Sequence, residues 1–129
     1  MKIKVKFKGN NTSRDKQKFL NFYIKFLFDV LPLNKPVEIN FVSERVGKMT
    51  TGSRKKDNSI FVLTKGRILR DILRTLGHEW VHEYQMDVLK REMGPNIGGR
   101  NENEANSISA MLIKVFEEKY PEFEQQMYE

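Results

Sequence analysis

The chain has no cysteine among its 129 residues. That excludes disulfides, cysteine-ligated zinc and a thiol nucleophile. It has no apolar run approaching the roughly 20 residues of a membrane span. The opening segment, Met1-Lys2-Ile3-Lys4-Val5-Lys6-Phe7-Lys8, alternates lysine with apolar residues. It therefore lacks the uninterrupted apolar stretch of a secretory signal, and a cytoplasmic location is expected. There is no internal repeat and no low-complexity segment, so residues 1–129 are expected to form one domain. Acidic residues are scarce in the first part. Before residue 78 there are 18 Lys/Arg against 6 Asp/Glu, and from there on 5 against 11. The basic part could attract nucleic acid or an acidic protein. Lysines that alternate with apolar residues also mark any half-exposed edge strand. A solvated lysine-rich surface is therefore preferred over a nucleic-acid partner.

The apolar pattern predicts an α+β fold. Residues 2–8 read as a strand with Ile3, Val5 and Phe7 on one face. Gly9-Asn10-Asn11-Thr12-Ser13 reads as a turn ending in helix caps. A long helix to about Leu31 follows, with Phe19, Leu20, Tyr23, Phe26, Leu27 and Val30 on one stripe. Val37, Ile39 and Phe41 alternate along a second strand. Arg45–Thr51 reads as a third, weaker strand, and Gly52–Asn58 as a polar turn. Ile60-Phe61-Val62-Leu63 reads as a central strand. A helix is expected from Arg67 to about Lys90, ended by Gly94-Pro95. Gly98-Gly99 marks a loop, and a last helix runs from about Asn101 to Lys119. The expectation is a three- to four-stranded twisted sheet carrying three long helices.

Histidine is also scarce. The chain has two, both in the pentapeptide His78-Glu79-Trp80-Val81-His82. On a helix, residues four apart lie one above the other, about 40° apart around the axis. Two imidazoles so placed can grip one Zn²⁺, and the glutamate beside the first can act as general base on a metal-activated water. This is the H-E-x-x-H pattern of zinc-dependent peptidases. Catalytic zinc takes three protein ligands. With no third histidine, the third ligand must be a carboxylate or be missing. Asp87, Glu92, Glu102 and Glu104 are the candidates. The first two lie too close in sequence to fold back onto the motif. The apolar face of the last helix, taken as Ala105, Ile108, Met111, Leu112, Val115 and Phe116, puts Glu104 at its margin and Glu102 nearer solvent. Glu104 is the expected ligand.

His78-Glu79-Trp80-Val81-His82 followed by Asn103-Glu104-Ala105-Asn106-Ser107 resembles the gluzincin peptidases, thermolysin among them, which use two histidines and a downstream glutamate. Glu102-Asn103-Glu104-Ala105-Asn106 is similar to the antirepressor and small phage metallopeptidases. There the glutamate before Ala-Asn is the ligand, which matches Glu104. The order of elements also resembles a minimal zincin domain. The resemblance implies a zinc metalloendopeptidase in which His78, His82 and Glu104 hold Zn²⁺ and Glu79 is the base. Thermolysin-like enzymes add a second domain with a further histidine, and this chain has neither. An oxyanion stabiliser must then be Tyr or Arg, with Arg100 and Tyr84 as candidates. Ser107, Asp71 and Thr75 are candidates for orienting an imidazole. An edge strand could hold an extended protein or peptide substrate by main-chain pairing. The alternative is a catalytically weak or inactive zincin-like protein that serves as a binding or nucleic-acid-associated module.

Overall fold

A computed structural model of the chain describes residues 2–9, 12–55, 57–92 and 99–129. The lysine-rich opening forms β1 (Ile3–Lys8), its three lysines exposed and Ile3, Val5 and Phe7 partly buried. Ser13 caps α1 (Arg14–Val30), its hydroxyl accepting the Lys16 N–H at 3.3 Å. β2 (Val37–Val42) lies parallel to β1, which requires a crossover, and α1 supplies it. β4 (Ser59–Leu63) lies parallel to β2, and β3 (Gly52–Lys55) runs antiparallel on the outside of β4. The sheet order is β1-β2-β4-β3.

The mixed α+β reading of the sequence holds, with one correction. The third strand is not Arg45–Thr51. It is Gly52–Lys55, inside the segment expected to be a turn. Its residues are poor strand formers, but pairing with β4 decides the outcome. The turn is confined to the residues just before β4. There Asn58 takes a positive φ of 65°, and the Asp57 carboxylate accepts the Ser59 N–H. The segment before β3 folds over the outer face of the sheet, where Met49 and Val46 cover Val42, Phe61 and Leu63. Asn10, Asn11, Gly94, Pro95 and Gly98, expected in turns, lie outside the described residues.

The other face of the sheet carries the main core. Val37, Ile39, Phe41, Ile60 and Val62 meet Phe19, Leu20, Tyr23 and Leu27 of α1. α2 (Leu69–Asp87) adds Leu69, Ile72, Leu73, Leu76 and Trp80. Trp80 is fully buried and its indole N–H donates to the Leu31 carbonyl at 3.0 Å. That bond ties the motif helix to the end of α1. α3 (Arg100–Lys119) packs on α2, and its Phe116 ring meets Phe19, Phe22, Tyr23 and Phe26 of α1. The last residues turn back, burying Met127, and the Glu129 carbonyl accepts the Leu69 N–H at 2.9 Å. Among the described residues no helix is long and apolar enough to cross a membrane.

Two glycines set the spacing around α2. A Cβ on Gly77 would lie 3.3 Å from the Ser109 Cβ, so α2 and α3 approach closely there. A Cβ on Gly52 would lie 2.5 Å from Thr75 Cγ2 and 3.3 Å from Glu79 Cγ. Thr75 is not free to yield, because Arg67 donates to its hydroxyl at 2.8 Å. Gly52→Ala is therefore expected to lose about 1–3 kcal/mol in urea unfolding through overpacking. Ser53→Ala, on the opposite face of β3, should stay within about 0.5 kcal/mol of wild type. Equal stability of the two variants would contradict this account of the β3–α2 approach.

Candidate functional site

α2 brings the two histidines together. Their Nε2 atoms are 3.1 Å apart and the rings lie edge-on, with centroids 4.6 Å apart. α3 adds a carboxylate from its first turn, and it belongs to Glu102. Glu102 Oε1 lies 2.7 Å from His78 Nε2, and Oε2 lies 2.8 Å from His82 Nε2. His78, His82 and Glu102 form a group that could hold a metal ion, each offering one ligand atom, all within 4.8 Å of one another.

Glu104, the glutamate expected there, points elsewhere. Its Oε1 accepts from Arg91 at 2.8 Å and from Gln85 at 3.1 Å. The reason lies in which face of α3 is buried. Met111 and Val115, counted above as core, are 55% and 42% exposed. The buried line is Ala105, Ser109, Leu112, Ile113 and Phe116. At about 100° per residue, Glu102 lies roughly 40° from the centre of that line and Glu104 roughly 120°.

Glu104 still reaches the histidines indirectly. Gln85 is fully buried and its amide N–H₂ donates to Glu104 Oε1 and to the Asn101 carbonyl, each at 3.1 Å. Gln85 and Arg91 hold the Glu104 carboxyl below the usual range, so it is ionised and can only accept. The amide orientation is thereby fixed, and its oxygen faces His82 Nδ1 at 2.9 Å. Nδ1 must carry a proton, and in the neutral form of the ring Nε2 keeps its lone pair. That lone pair confronts a carboxylate oxygen at 2.8 Å. Two acceptors at that distance need a proton or a cation between them. The donor set, two imidazole nitrogens and a carboxylate, suits zinc. The residues present fit the ion that the motif implies.

Burial, then the charge of His82, depress the His78 pKa, while Glu102 and a hydrogen bond to Asn106 oppose the shift. Burial, then Glu102, pushes the Glu79 carboxyl up to about 7, against His82 and Arg54. Arg54, on β3, makes a two-pronged pair with the buried Glu83 at 3.1 and 3.4 Å. This pair fastens the edge strand to α2 one turn beyond Glu79.

These groups open on a cleft of about 350 Å³, walled by Thr50–Gly52 on one side and Glu102, Asn106 and Ser109 on the other, with Arg74, Thr75, His78 and Glu79 as its floor. A larger cleft of about 720 Å³ lies between the start of α1 and the C-terminal turns, and it contains neither histidine. Of the other residues singled out from the sequence, only Thr75 lines the histidine cleft. Tyr84 packs against the main core, and Ser107 and Arg100 are exposed. Asp71 is exposed, and its carbonyl accepts from Arg67. Sequence reasoning missed Gln85, Asn106, Ser109, Arg54 and Arg74. Arg74, Gln85 and Asn106 had a usable signal, since they stand four residues before His78, three after His82 and four after Glu102. Comparison of the chain with protein families, curated proteins and solved structures gave no match.

The raised Glu79 pKa sets an expected pH dependence. A folded-state pKa of about 7 against an ordinary 4.5 means that the folded chain keeps a proton that the unfolded chain releases. Stability should therefore fall as pH rises from about 4.5 to 7 and then level off. Glu79→Gln removes this component. In the presence of chelator, its melting temperature should exceed that of wild type at pH 8 and approach it at pH 4, by roughly 3–5 °C per kcal/mol of relieved desolvation. Parallel pH profiles for the two proteins would refute the assignment.

Proposed function

We propose that this protein is a zinc-dependent metallopeptidase on a minimal zincin-like fold. The observation that carries the reading is the convergence of His78, His82 and Glu102, with His78, Glu79 and Glu102 lining one cleft alongside edge strand β3. When bound, the metal would polarise the scissile carbonyl and acidify a water.

The chain's own residues supply the rest. Glu79, on the cleft floor, takes a proton from the attacking water and delivers it to the amide nitrogen as the C–N bond breaks. The water oxygen ends in the new carboxyl group. Gln85 holds His82 in the tautomer that offers Nε2, and Asn106 steadies His78. β3 pairs with β4 on one side, so its other edge is available for an extended peptide, and Thr50–Gly52 already line the cleft. The zincin likeness rests on element order and on a glutamate carried by the helix after the motif helix.

Two experiments test this reading. Protein purified without chelator should contain close to one zinc per chain. His82→Ala and Glu102→Ala should lose it, because two remaining ligands hold zinc poorly. Glu104→Ala and Gln85→Ala should keep stoichiometric zinc at saturation but weaken affinity by roughly 10–100-fold. Loss of all zinc in Glu104→Ala with none in Glu102→Ala would reverse the ligand assignment. Separately, Glu79→Gln should retain zinc and fold while hydrolysis of a casein or peptide-library substrate drops by about 10²–10⁴. A variant as fast as wild type would remove Glu79 from the mechanism. Absence of zinc even after supplementation would end the peptidase reading.

A further inference from the structure

A second, smaller pocket of about 240 Å³ lies between α2 and α3, lined by Arg70, Asp71, Arg74, Ala110, Ile113 and Lys114. Arg74 lines both this pocket and the histidine cleft, so the two are neighbours along the helix pair. They differ in charge. The histidine cleft carries Glu79 and Glu102 beside Arg74, while the second pocket carries three cations against one acid.

Those cations are not equally engaged. Arg70 is committed to Glu117 and lies over the Tyr128 ring. Asp71 faces Arg67 across the first turn of α2. Among the described residues Arg74 and Lys114 make no ion pair. Two cations from facing helices, in a pocket that Ile113 also lines, suit a short carboxylate-bearing side chain.

We propose that this pocket is a specificity subsite for an acidic residue of the substrate, with Arg74 and Lys114 as its determinants. The proposal rests on the peptidase reading for its substrate class. The distance fits an extended peptide. Arg74 stands four residues before His78, which is about 6 Å along the helix axis. An extended chain advances about 3.3 Å per residue. The acidic residue should therefore sit within three positions of the scissile bond, always on the same side.

The test uses fluorescently labelled, end-blocked peptides that differ only in one residue, Glu, Gln or Lys, and the zinc-supplemented Glu79→Gln protein. Anisotropy at low salt should show the Glu peptide binding at least threefold tighter than the Gln peptide, and the Lys peptide weakest. Arg74→Gln and Lys114→Gln should each erase roughly two- to fivefold of that preference, the range of an exposed charge pair. The double variant Arg74→Glu/Lys114→Glu should favour the Lys peptide. Both positions are solvent-facing, so circular dichroism should show an unchanged fold. Equal affinities for the three peptides would overturn the subsite. So would the same preference in the double variant, or displacement of all three peptides alike by inorganic phosphate. Cleavage-site profiling of wild type gives the separate readout. Hydrolysis without enrichment of Asp or Glu within three positions overturns the subsite alone. Charge-selective binding without any hydrolysis supports the pocket and overturns the peptidase reading instead.

Discussion

The carboxylate of Glu102 reaches both histidines because α2 and α3 can approach each other at Gly77. No side chain separates the helices there, and Ser109 fills the gap without excess volume. A larger residue at either position would push α3 outward, and the Glu102 carboxylate, one to two turns along, would move with it. The same approach forms the cleft wall from Asn106 and Ser109. α2 is held from the other side as well, by Trp80 bonded to Leu31 and by Arg54 paired with Glu83. The motif helix is thus fixed against α1, β3 and α3 together.

The electrostatics of the site follow from that enclosure. Gln85, Glu104 and Arg91 form a chain of hydrogen bonds that ends on His82 Nδ1 and settles which nitrogen is bare. Bare nitrogens and carboxylates gathered in a half-buried space are uncomfortable without a cation. The opposed shifts at His78 and Glu79 express that discomfort, since burial drives both groups toward their neutral forms. A divalent ion held by these groups would offset that cost.

Much of this was legible in the sequence, for specific reasons. The histidines four apart define one face of a helix, and Leu69, Ile72, Leu73, Leu76 and Trp80 bury the opposite face as their spacing requires. The alternation in β1 and β2 gave the strands and their inward faces. What failed was the fine assignment on α3. Ile108, Met111 and Val115 look like core residues, yet two of them face solvent, while polar Ser109 is buried against Gly77. Counting apolar residues thus rotated the helix away from its true buried line and selected Glu104. The pairing of Arg54 with Glu83, 29 positions apart, had no local signature. Nor did the strand at Gly52–Lys55, which depends on its partner β4 rather than on its own residues.

The ligand atoms come from two successive helices, and His82 and Glu102 stand twenty positions apart in the chain. An ion spanning them would act as a cross-link closing a short loop, and short loops cost little entropy to close. Almost all of the site lies within one helical hairpin, and the sheet contributes only β3 to its rim. Packing of the hairpin and capture of the ion would then be thermodynamically linked, and the stability of the domain would rise with free cation concentration rather than be a fixed property of the chain.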